Sequence, residues 1–110
     1  MGLREMFGRR RGRDEHTSDA DARHLADWAR THVGVEAFVE PRTTVTPVTV
    51  VLVATDGQWT RRAVGGERGA RQLGKDLRIP VYDVRKTGYP QRMRDHDARQ
   101  RILRNRAREA

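Results

Sequence analysis

Residues 44–64 read TVTPVTVVLVATDGQWTRRAV, and this stretch decides the fold. Residues 44–54 are the most β-prone part of the chain, because threonine and valine branch at Cβ and suit a pleated surface. From Val50 to Ala54 both faces of an extended strand are apolar, which predicts a central strand covered on both sides. Pro47 has no N–H to give to a ladder, so a bulge or an edge segment is expected there. Asp56-Gly57 is the residue pair that hairpin turns favour. Residues 58–64 then form the return strand. Trp59, Arg61 and Ala63 fall on one face, and Gln58, Thr60, Arg62 and Val64 on the other.

Working outward, Val35, Ala37 and Val39 alternate with Glu36, Phe38 and Glu40 in an earlier strand that Pro41 ends. Residues 19–33 read as a helix capped by Ser18 or Asp19, with Leu25, Trp28, Ala29 and Val33 on one face and Gly34 as its stop. Downstream, Gly65-Gly66 breaks the sheet and a helix follows over about 67–78, with Ala70, Leu73 and Leu77 in helical register. Ile79-Pro80 ends it, residues 81–84 make a short fourth strand, and Gly88-Tyr89-Pro90 is a loop. Residues 91–108 have helical composition with a sparse apolar pattern (Met93, Ala98, Ile102, Leu103) and favourably ordered Asp95–Arg99 and Asp97–Arg101 pairs. The order α-β-β-β-α-β-α predicts an α+β fold: a small antiparallel sheet with helices packed on one face. Trp28, Phe38, Leu52, Leu73 and Leu77 are the expected core.

The chain has 110 residues, 23 of them Lys or Arg against 15 Asp or Glu, for a net charge of +8. All but Lys75 and Lys86 of the basic residues are arginine, a preference that a GC-rich genome explains. Genome composition does not explain where the surplus lies. Residues 1–13 carry +4, residues 14–33 carry −3, residues 34–84 carry +1 and residues 85–110 carry +6. With 35% apolar residues, the chain is expected to fold as one α+β domain, residues 18–85. It is flanked by a mostly disordered basic tail, residues 1–17, and a basic C-terminal helix or tail, residues 86–110. Leu3, Met6 and Phe7, beside Arg9, Arg10 and Arg11, have the spacing of one amphipathic turn. No apolar run is long enough to span a membrane, no apolar signal core follows the N-terminus, and the absence of cysteine removes disulfides and thiol chemistry. A cytoplasmic location is the expectation.

No residue set for catalysis is legible. Ser18 is the only serine and serves as a cap, so no Ser/His/Asp arrangement forms. Glu36 and Glu40 lie roughly 13 Å apart by strand rise, too far for a direct glycosidase pair, and read as exposed strand charges. Asp83, Lys86 and Tyr82 read as a strand-end salt bridge rather than an acid–base cluster. His24 and His32 sit two helical turns apart beside Asp21 and Asp27, but a zinc site needs three or four converging ligands, and surface histidines are the commoner outcome. No metal and no cofactor are expected.

The basic and aromatic groups carry the remaining signal. Arg61 and Arg62 share a strand with Trp59, and Tyr89 lies near Arg85 and Lys86, a pairing suited to stacking bases and holding phosphates. The run Arg99, Arg101, Arg104, Arg106, Arg108 makes the C-terminal segment basic on all sides, as in arginine-rich segments whose binding is driven by counterion release. Arg9, Arg10 and Arg11 do the same at the N-terminus.

VEAFVEPRTTVTPVTVVLVATDGQWTRRAVGG, followed by RIPVYDV and GYPQRMRD, resembles a family of small uncharacterised actinobacterial basic proteins, over about residues 25–97. Some members carry an oxidoreductase label, which implies a redox cofactor. Gly65-Gly66-Glu67-Arg68-Gly69 does not fit the dinucleotide fingerprint. The α-β-β-β-α portion also resembles the double-stranded RNA-binding domain. That likeness implies phosphate contacts from Arg68, Arg71 and Lys75 on the second helix, and a minor-groove approach by the loop Pro41-Arg42-Thr43-Thr44, where Arg42 is a donor. Glu67 and the missing Gly-Pro-x-His loop sequence depart from that module. A nuclease core with the same element order needs an acid and an acid-x-Lys pair on adjacent strands, which residues 48–64 lack.

The expectation is a non-enzymatic accessory protein that binds RNA or a ribonucleoprotein surface such as the ribosome through Arg-rich tails. A protein–protein adaptor using the edge strand 81–84 and the N-terminal amphipathic element is the alternative. A small oxidoreductase is the third.

Overall fold

The computed structural model describes residues 17–109. Leu3, Met6, Phe7, Arg9, Arg10 and Arg11 lie outside the described residues. The elements are α1 (Asp19–Thr31), β1 (Glu36–Glu40), β2 (Thr49–Val53), β3 (Trp59–Ala63), α2 (Gly66–Leu77), β4 (Val81–Asp83), α3 (Val84–Thr87) and α4 (Gln91–Glu109). The fold is α+β in the expected order, with the one-turn α3 added between the fourth strand, which ends at Asp83 rather than Val84, and the Gly88-Tyr89-Pro90 loop. Among the described residues no helix is long and apolar enough to cross a membrane.

Local chemistry explains the boundaries. Ser18 caps α1, its Oγ accepting from the Asp21 N–H at 3.0 Å. Val33 lies beyond that helix and is 79% exposed, so it is not part of the apolar face assigned to it. Pro47 and its neighbours stay outside the sheet, and β2 starts only at Thr49. Asp56-Gly57 forms the tip between β2 and β3. Gly57 has φ +89°, and the Asp56 carboxylate accepts from the Gln58 N–H at 3.0 Å. α2 ends in a Schellman motif, with the N–H groups of Arg78 and Ile79 on the carbonyls of Lys75 and Gly74.

The sheet order is β3-β2-β1-β4. β1 and β2 are antiparallel with Phe38 opposite Val51, and β2 and β3 are antiparallel with Val51 opposite Arg61. β4 runs parallel to β1, with Phe38 opposite Tyr82, so the sheet is mixed rather than purely antiparallel. The reason is the connection: β3 runs in the direction of β1, and a crossover helix brings the chain back in the same direction. Two helical glycines allow that crossover to lie close. A Cβ on Gly69 would stand 1.5 Å from the Val64 carbonyl oxygen, and one on Gly74 would stand 2.3 Å from Val81 Cγ2.

Helices cover both faces of the sheet, not one. On the first face Leu25, Val35, Ala37, Val48, Val50, Leu52, Val64 and Ala70 pack under α1 and α2, with Trp28, Leu73 and Leu77 half-buried at the margin. On the second, Phe38, Val51, Val53 and Met93 form a separate cluster with Trp59 and Tyr89 against it. β2 is therefore covered on both sides, as its unbroken apolar run predicts. The second face carries Phe38, Val51 and Val53, which water would otherwise meet. The first turns of α4 cover it, so part of segment 86–110 belongs to the packed fold.

Candidate nucleic-acid interface

On the second face, polar groups from β1, β3, β4 and α4 hold the root of α4. Arg92 gives its Nε–H to the Ala54 carbonyl at 2.9 Å and pairs with Glu36 at 2.6 Å. The Tyr82 hydroxyl donates to the other Glu36 oxygen at 3.1 Å, and its ring lies 5.4 Å from that of Phe38. The Trp59 indole N–H donates to Asp97 at 2.8 Å. Glu40 accepts from Thr49 at 2.7 Å, from Arg61 through two nitrogens at 2.7 and 2.9 Å, and from the Tyr89 hydroxyl.

Burial pushes the Glu40 carboxyl up, but the donors Arg61, Tyr89 and Thr49 outweigh it and hold the group below its ordinary range. Burial, then the Glu40 charge, pushes the Tyr89 phenol up. Glu36 and Glu40 are thus half-buried anchors, not exposed strand charges. They share a strand face with Phe38, and a face that must bury a phenyl ring also encloses the carboxylates beside it. Asp83 pairs with Arg85 at 2.8 Å, not with Lys86. The Arg85 side chain, then its backbone N–H, hold the Asp83 carboxyl at about 2.

Several expected phosphate ligands are used inside the fold. Arg61 is engaged by Glu40 and lies over the Trp59 ring, 5.0 Å from its centroid. Arg62 donates to the Arg61 carbonyl at 2.6 Å and approaches Asp21 at 3.5 Å. The two expected stacking rings, Trp59 and Tyr89, are half-buried with their polar atoms occupied. Arg42 is exposed in the loop between β1 and β2. Arg68, Arg71 and Lys75 form one exposed stripe on the outer side of α2. That stripe is on the opposite side of the sheet from α4, so the two basic surfaces are not one continuous patch.

α4 is the most exposed element. It is 19 residues long, and every residue from Ala98 to Glu109 is exposed. The expected Asp95–Arg99 and Asp97–Arg101 pairs do not form. Asp95 accepts from Gln91 at 2.8 Å, Asp97 serves Trp59, and Arg99 donates to the Asp56 carbonyl at 3.3 Å. Arg101, Arg104, Arg106 and Arg108 make no ion pair or hydrogen bond among the described residues. Their arrangement has an order that composition concealed. Arg92, Arg99 and Arg106 recur every seven residues, as do Arg94, Arg101 and Arg108. At 3.6 residues per turn these make two rows on opposite flanks of the helix.

A groove of about 490 Å³ lies where α4 leaves the sheet, lined by Gln58, Trp59, His96, Asp97, Gln100, Arg101 and Arg104. The hairpin tip is fitted to the helix there, since a Cβ on Gly57 would stand 2.1 Å from the Arg92 carbonyl oxygen. The two α1-side histidines do not converge: His24 bonds Thr60 at 2.6 Å, and His32 bonds the Trp28 carbonyl at 2.7 Å while stacking on its ring. Among the described residues no group of three or more histidines and carboxylates could hold a metal ion. No family model, curated protein or solved structure matches the chain, so the functional reading rests on its residues and their arrangement.

Proposed function

We propose that this protein is a non-enzymatic accessory factor that binds RNA or a ribonucleoprotein surface, using its Arg-rich ends as phosphate ligands and its α+β body as their mount. One observation carries the reading: five arginines of the folded body are met by carboxylates, and the four at the end of α4 are not. Arg30, Arg61, Arg62, Arg85 and Arg92 each meet a carboxylate. Arg101, Arg104, Arg106 and Arg108 stand exposed on a helix with Glu109 as the one acid beyond Asp97. A helix kept only for structure gains from balancing such charges with acids one turn away. A helix that meets a polyanion gains from leaving them open, because each phosphate it neutralises releases a counterion.

The test is co-purification from lysate with and without nuclease, followed by RNA binding at several salt concentrations. RNA recovered with the protein, and an affinity that falls steeply with salt, support the proposal. A partner protein that stays bound after nuclease treatment, or an RNA affinity that ignores ionic strength, refutes it.

A further inference from the structure

We infer that the groove at the root of α4 seats one unstacked nucleotide of a single-stranded RNA, its base against Trp59 and its phosphate on Arg101 and Arg104. The inference rests on the RNA-binding reading and gives it a specific seat. The volume, about 490 Å³, falls within the ~300–1,000 Å³ typical of small-ligand sites. Its walls supply the complementary chemistries of a nucleotide. The Trp59 indole, half-buried against Phe38, Val51, Val53 and Met93 and with the Arg61 guanidinium 5.0 Å from its ring centroid, lines the groove in an orientation fixed by its N–H, which Asp97 holds at 2.8 Å. Asp97 is the one carboxylate of the lining, and its Oδ1 accepts from the indole N–H. Arg101 and Arg104 lie three residues apart on one side of α4, exposed and without a carboxylate among the described residues. Polar edges are available too. Gln58 gives its amide N–H to Asp56 at 2.8 Å and keeps its carbonyl oxygen, and the Gln100 amide is exposed without a partner among the described residues.

An aromatic wall, two open guanidinium groups and two amides select a ring that carries an anion. A bare anion does not need the indole, and an apolar ligand does not need the arginines. A base lying against Trp59 has to leave its own stack, which single strands permit at low cost and duplexes do not. From this seat the strand continues along the exposed end of α4 on the flank that carries Arg108.

The experiment follows tryptophan emission in the full chain and in W28F, where Trp59 is the sole reporter. Trp28 belongs to the opposite face of the sheet, so the natural chain, titrated in parallel, covers the case in which W28F folds poorly. The ligands are a labelled oligoadenylate, AMP and inorganic phosphate, with anisotropy of the labelled strand read alongside. The expected result is saturable quenching by oligoadenylate, with the same midpoint as the anisotropy, and weaker quenching by AMP. Inorganic phosphate leaves the emission unchanged. Q100F fills the groove without altering charge. It is expected to weaken AMP binding roughly tenfold, as for the loss of one stacked base, while the salt dependence of RNA binding stays as it was. RNA binding with unchanged Trp59 emission overturns the nucleotide seat and leaves the RNA reading standing. Equal quenching by phosphate also overturns the seat, as an anion site without base recognition. The absence of any RNA binding overturns both.

Discussion

Removing residues 101–110 separates the electrostatic role of α4 from its structural one. The truncation deletes Arg101, Arg104, Arg106 and Arg108 and keeps Arg92, Met93 and Asp97, which fasten the helix to the sheet. If each deleted arginine sits on one phosphate of a single strand, the slope of log affinity against log salt falls by about 0.7 for each, or roughly 3 in all. Between 50 and 200 mM salt the full chain should then lose about 50-fold more affinity than the truncated one. Every described residue of the deleted segment is exposed, so folding stability should change by no more than about 0.5 kcal/mol. The assay is fluorescence anisotropy of a labelled single-stranded RNA over a salt series, with thermal melts of both chains as the control. An unchanged slope together with an unchanged melt would refute the reasoning, since the open arginines would then meet no phosphate.

Three further outcomes test the fold that mounts the helix. Gly69→Ala should raise intrinsic helix propensity yet destabilise the protein by about 2–3 kcal/mol, lowering the melting temperature by 8 °C or more. The added Cβ would stand 1.5 Å from a backbone oxygen that has nowhere to move, and a melt equal to that of the natural chain contradicts the close helix–sheet approach. Arg78→Gly should stabilise by about 0.5–1 kcal/mol, because Arg78 holds φ 55° at the end of α2, where a side chain is penalised; a lower melting temperature counts against it. Glu40 is held below its ordinary value of 4.5, so the stability it contributes is fully present above that pH and is lost as the pH falls through the lower folded value. Urea midpoints measured from pH 6 down to pH 3 should therefore fall less steeply for Glu40→Gln than for the natural chain, and parallel curves would exclude Glu40 as a source of the acid sensitivity.

Local patterns were legible because they depend on neighbours in the chain. The Ser18 cap, the Asp56-Gly57 tip and the doubly covered run of β2 follow from residues a few positions apart. So does the division of β3 into two faces, with Thr60 buried against α1 and Arg61 turned to the other side. The candidate site was less legible. Arg61 and Arg62 look free on a strand, but Glu40 and Asp21, 21 and 41 positions earlier, engage them. A charge next to its partner in space has no signature in the sequence when the two are far apart along the chain.

The sequence by itself determined the element order, the near-neutral middle and the basic end, since propensity, alternation and charge are properties of short windows. It also held the seven-residue repeat of arginines in α4, which becomes two rows only once the segment is known to be one continuous helix. Tertiary structure decided the rest. It set β4 parallel beside β1, turned α4 onto the face that Phe38, Val51 and Val53 would otherwise expose, and brought Arg92 of α4 onto Glu36 and the Tyr89 loop onto Glu40. It also sorted the arginines into those the fold consumes and those it leaves open. Pairing a charge depends on distance in space, and only the packing of the sheet against its helices sets that distance.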